Sequence, residues 1–156
     1  MLQGRTLWFQ AQFANMLTPP LIGAILAQVM DFMGSAQTHD TRLVFAVKSV
    51  SRIFTYAKDL ENYAPSLIEC LCFHASACTE TSLLVLFLET LGLVCAVDHS
   101  VTAQREHLIG PLILGIWTRI SDGISLKLIK IFLSLKSFMI WFESSAKMCK
   151  CLDLFK

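Results

Sequence analysis

Cys70, Cys72, His74 and Cys78 form the spacing C-x-C-x-H-x3-C, the densest set of metal-capable side chains in the chain. Zinc needs four ligands converging tetrahedrally. On one helix, residues four apart share a face and residues two apart do not. Cys70 and His74 would therefore stand together while Cys72 points away, and Cys78 could join them only near the helix end. The set is expected to be buried free thiols and a partly buried histidine, and no cofactor or metal is assigned. Asp98-His99-Ser100 holds the residue types of a hydrolase triad, but such a triad is assembled in space by distant residues. It reads as a turn between helices, with Ser100 or Thr102 capping the next one. His107 beside Glu106 is expected to face water. Cys149-Lys150-Cys151 is a thiol pair near the end of the sequence, with Cys151 at the wrong place for prenylation. The seven glycines are scattered, so no phosphate-cradling loop occurs. These patterns do not describe an enzyme.

The elements that must position these residues are helices. In Asp40 to Tyr56, Leu43, Val47, Val50 and Phe54 recur at i, i+4, i+7 and i+11 along one face. A second helix is expected over about Pro65 to Ala77, with Leu67, Cys70, Leu71 and His74 on one side. The third, Glu80 to Val97, is apolar almost all round and must be packed on several sides; Thr79 or Thr81 could cap it. The fourth, Thr102 to Ile120, carries Leu108, Ile109, Leu112, Ile113, Ile116 and Ile120 as a stripe. Alternating strand patterns and Asn-Gly turns are missing, so the chain reads as all-α.

With 156 residues, 54% hydrophobic and 16% charged, the chain is richer in apolar residues than ordinary domains, which hold about 25% charged residues. A net charge of +1 argues against nucleic-acid binding. Six cysteines are too few for a disulfide scaffold and suit free thiols in a reducing compartment, cytoplasmic or nuclear. The excess apolar content has two explanations: a membrane protein, or a helical stack whose faces meet neighbours. The apolar runs are about 10 to 14 residues long, the length of buried helices rather than of spans. A multi-pass or peripheral membrane protein is the alternative reading.

Charge divides the chain. Residues 1–123 hold seven cations and ten acids, a net −3, whereas residues 124–156 hold six lysines and two acids, a net +4. Residues 1–122 are therefore taken as the helical segment and residues 123–156 as a Lys-rich helical tail. In that tail Lys127, Lys130, Ser134 and Ser137 fall on one stripe opposite a broad apolar surface. Lys127, Lys130, Trp141 and Phe142 are the candidate contacts to a partner or a membrane surface. The favoured reading packs this helix inward with its lysines snorkelling to water.

Finally, the chain repeats. Pro19-Pro20-Leu21-Ile22-Gly23-Ala24-Ile25 has counterparts beginning at Pro65 and Pro111, so the prolines stand 46 apart twice, with large apolar residues two, three and six places after each. Thr41 to Val47 aligns with Thr81 to Phe87 at an offset of 40. Proline fits the first helical turn, where its missing N–H would be unpaired anyway. Pro111 departs from this, because the run from Thr102 already looks helical; it is expected to kink one helix or divide two. A period of about 40 to 47 residues with two helices per unit resembles HEAT and armadillo repeats, over roughly three units spanning residues 2–121. The resemblance implies a right-handed α-solenoid of stacked antiparallel helix pairs, about 6–8 helices, working as a scaffold that presents a concave surface to protein partners. The Asp and Lys or Arg that HEAT units carry later in the repeat are not consistently present here. Neither end looks like a polar cap, since Leu7, Trp8, Phe9 and Phe13 crowd the first helix. The expectation is a fragment or short isoform of a longer array, which self-associates when isolated.

Overall fold

The computed structural model of the chain describes residues 2–35 and 41–121. Seven helices fill them: α1 (Leu2–Ala11), α2 (Pro19–Ser35), α3 (Thr41–Tyr56), α4 (Ala64–Ala77), α5 (Thr81–Cys95), α6 (His99–Gln104) and α7 (Glu106–Ser121), with a 3-10 turn at Glu61–Tyr63. The described residues contain no strand. None of these helices is long and apolar enough to cross a membrane. The tail candidates Lys127, Lys130, Trp141 and Phe142 lie outside the described residues, and the boundary at 122/123 falls at their edge.

Helix α2 begins where the sequence has two prolines, Pro19 and Pro20, so no N–H is lost that a helix start could have paired. The Thr18 carbonyl instead accepts from the N–H groups of Leu21 and Ile22, at 3.0 Å each. Pro65 is the second residue of α4, for the same reason. The stripe Leu43, Val47, Val50 and Phe54 is buried as expected. Helix α5, apolar almost all round, lies against α3, α4 and α6. Polar groups taken into the core bond locally: Ser49 Oγ donates to the Phe45 carbonyl (2.7 Å) and Thr90 Oγ1 to that of Leu86 (2.8 Å).

The packing falls into two rows. In one, α3 lies between α1 and α5; in the other, α4 lies between α2 and α7. The rows face each other mainly through α4 against α5 and α2 against α3. All three proline-bearing helices therefore share one row.

The repeat has a slip that the prolines do not reveal. Buried positions recur at 46 from α2 to α4: Ile22 and Ile68, Ile25 and Leu71, Leu26 and Cys72, Val29 and Ala75. From α4 to α7 they recur at 45: Ala64 and Ile109, Leu67 and Leu112, Ile68 and Ile113, Leu71 and Ile116. Each residue turns a helix by about 100°, so a one-residue slip selects a different face. Leu114, three places after Pro111, is consequently 54% exposed, whereas Ile22 and Ile68 at the matching places are buried. Leu21 is also exposed where Leu67 is buried.

The expected single helix from Thr102 to Ile120 is two helices. They separate at Arg105, whose backbone (φ −103°, ψ 12°) has left the helical region. Pro111 neither starts nor divides a helix; it sits inside α7. Arg105 reaches back to Glu69 on α4 (3.1 Å), a surface ion pair worth at most about 1 kcal/mol. The caps also differ from expectation. Asp98, rather than Ser100 or Thr102, caps α6, accepting from the N–H groups of Ser100 (2.7 Å) and Val101 (3.4 Å). Its carboxyl is held below the ordinary range chiefly by the hydrogen bonds from Ser100. Thr102 turns inward instead and donates to the carbonyls of Cys95 (2.9 Å) and Asp98 (3.0 Å). At the start of α5 the cap position is Glu80, without a side-chain cap bond.

One glycine records a close approach. A Cβ on Gly23 would overlap the Tyr63 hydroxyl oxygen and lie 3.4 Å from Tyr63 Cζ. Gly23→Ala gains up to about 1 kcal/mol of helix propensity, yet the overlap should cost about 1–3 kcal/mol, so the expected result is net destabilisation. In a Tyr63→Phe background the hydroxyl is gone and the sign should reverse. Urea midpoints of the four proteins check both statements.

Candidate functional site

Two places merit chemical description: the Cys/His set on α4, and a groove between α1 and α3.

On α4, Cys72 is buried, Cys78 is buried just past the helix end, and Cys70 is half-buried. Cys70, Cys72 and Cys95 are free thiols. Burial pushes the Cys72 thiol up to about 12, with a lesser contribution from Cys95 nearby, and pushes Cys95 up to about 11. Cys70 is also raised, again mainly by burial. Thiols so shifted are protonated at neutral pH and make poor nucleophiles and ligands. Cys78 Sγ donates to the Glu80 carbonyl (3.4 Å). Among the described residues no three His, Cys, Asp or Glu side chains gather as a metal site.

His74 is fully rather than partly buried, and its role is specific. Its Nε2 lies 2.8 Å from the Met33 carbonyl oxygen. That oxygen can only accept, so Nε2 carries the proton and donates. Met33 stands in the last turn of α2, where carbonyls have no partner within the helix. A side chain from α4 thus closes the end of α2. The ring stacks on Phe87 of α5 (centroids 6.0 Å apart, 8° between planes) and meets Phe73 edge-on at 5.2 Å. His74 thereby joins three helices, and its Nδ1 has no partner among the described residues.

The groove is a shallow depression, open to solvent, of about 300 Å³. Trp8 and Gln12 line it from α1 and the turn after it; Lys48, Ser51, Arg52, Thr55 and Tyr56 line it from α3. The residues Lys48-x3-Arg52-x3-Tyr56 follow one helical face, and the Arg52 guanidinium lies over the Tyr56 ring at 4.0 Å. The Arg52 Nε is buried without a hydrogen-bond partner. Beyond Trp8 the α1 end is strongly apolar and open: Phe9 is 61%, Phe13 44% and Met16 77% exposed, with Phe9 and Phe13 in edge-to-face contact at 5.4 Å.

The sequence marks Leu7, Trp8, Phe9 and Phe13 as an uncapped end; Trp8, Phe9 and Phe13 are exposed, whereas Leu7 is buried in the core. It also bears a signal for the α3 wall, the i, i+4, i+8 spacing of Lys48, Arg52 and Tyr56, but nothing in that spacing says that Trp8 stands opposite. His107 is exposed, as expected, while the Asp98-His99-Ser100 set forms a helix cap. Cys149 and Cys151 lie outside the described residues. No family model matches the chain, and no solved structure matches it.

Proposed function

We propose that the chain is a non-enzymatic protein-interaction scaffold, a stretch of right-handed α-solenoid of the HEAT or armadillo type acting in the cytoplasm or nucleus. The observation that carries this reading is the row α2–α4–α7, whose buried positions recur at 46 and then 45 residues beside the second row α1–α3–α5. Alternating helices sorted into two rows are what stacked helix pairs produce. The buried free thiols Cys72 and Cys95 support a reducing compartment. The mechanism would be shape: one row offers its outer surface to a protein ligand, and the open end at Phe9, Phe13 and Met16 accepts another apolar face.

Terminal units of such stacks need a polar outer face to remain monomeric, and this end lacks one. Sedimentation velocity at micromolar concentration should show self-association of the whole chain. Phe9→Ser, Phe13→Ser and Met16→Ser combined should shift it toward the monomer. A wild-type chain that sediments as a single monomer contradicts the reading.

A further inference from the structure

We infer that the groove between α1 and α3 binds an acidic segment of a partner protein, a carboxylate side chain seating on Lys48 and Arg52 with an apolar neighbour against Trp8. The inference rests on the scaffold reading and names the chemistry of its partner.

Charge is the first ground. The groove lining holds two cations and no acid. Lys48 and Arg52 stand one turn apart on α3, where like charges repel. Neither is in an ion pair, so the positive charge stays uncompensated within the described chain. Arg52 is already placed by its stacking on Tyr56. A guanidinium held this way offers the fork that a carboxylate engages with two parallel bonds. The Ser51 hydroxyl adds a further donor at the same wall.

Size and surroundings give the second ground. About 300 Å³ lies at the small end of binding pockets. It accommodates one or two side chains rather than a large cofactor. Trp8, Arg52 and Tyr56 are the residue types that dominate binding energy at protein interfaces. The exposed rings of Phe9 on α1 and Phe13 in the turn after it come next, so a chain segment leaving the groove meets an apolar surface. An extended peptide mixing acids with apolar residues fits both parts.

The test uses the full chain and a fluorescein-labelled peptide in which glutamate and leucine alternate, read by anisotropy. The tail lysines could also attract acids, so binding counts only if groove variants remove it. The peptide should bind, and a version with glutamine in place of glutamate should bind about tenfold more weakly. Lys48→Glu and Arg52→Gln should each weaken the acidic peptide by about three- to fivefold. Lys48 is exposed, so its variant should keep the wild-type circular dichroism melt. Acidic-peptide binding that neither variant changes would overturn the groove assignment, while the scaffold reading would still stand or fall on sedimentation. Variants that lose binding to phosphatidylserine vesicles, with no peptide binding in the wild type, would also overturn it, in favour of a lipid surface.

Discussion

Phe87→Ala is expected to destabilise the fold by about 3–5 kcal/mol, the range for truncating a buried aromatic ring. Phe87 is fully buried near the middle of α5, the helix that lies against both α3 and α4. Removing its ring therefore opens a void where the two rows meet, and the surrounding helices can fill it only by moving together. The ring also forms one face of the His74 stack. Domains of this size are stable by only about 5–15 kcal/mol, so the variant should unfold at a much lower urea concentration. Phe87→Leu keeps most of the volume and should cost much less. Urea titrations followed by circular dichroism check both, and an unchanged midpoint for Phe87→Ala would contradict the placement of α5.

The second large effect belongs to His74. His74→Ala removes buried volume and also leaves the Met33 carbonyl without a donor, which together should cost about 2–4 kcal/mol. Two further variants separate these contributions. His74→Phe restores the ring but not the donor, so it should still lose about 1–3 kcal/mol and speed amide exchange in the last turn of α2. His74→Gln keeps an N–H donor and should slow that exchange relative to His74→Phe. A His74→Phe protein as stable as wild type would show that the bond to Met33 contributes nothing. His74 and Phe87 are in contact, so their effects should not add.

Much of this fold is legible in the sequence because helical faces are local. Leu43, Val47, Val50 and Phe54 mark α3 by spacing alone, and the all-round apolarity of α5 follows from its position against three helices. The break at Arg105 is not legible, since neither glycine nor proline stands there. The slip from 46 to 45 is hidden for a related reason. Pro111 matches the prolines of α2 and α4 in spacing, yet α7 begins five residues earlier, at Glu106. Caps mislead where neighbours compete: Asp98 takes the bonds that Ser100 or Thr102 could have supplied, and Thr102 is drawn into the core.

The site divides in the same way. The Cys/His spacing on α4 pairs Cys70 with His74, but it does not foretell that Cys72 is buried as His74 is while Cys70 is only half-buried, nor that His74 meets Met33, 41 residues away. Likewise the groove joins Trp8 to Arg52 across two helices that only tertiary packing brings together. Long-range partners of this kind leave no local periodicity to read.

The proposed solenoid requires two open rows of helices rather than a closed bundle. Methyl NOE spectroscopy of the whole chain, labelled at Ile, Leu and Val, tests it without altering a residue. Rows require abundant NOEs between α2 and α4 and between α4 and α7, involving Ile22 and Ile25, Leu67 and Leu71, and Ile113 and Ile116, with few or none directly between α2 and α7. A dense α2–α7 network would mean that the two helices close on each other, and the open-row account would be wrong.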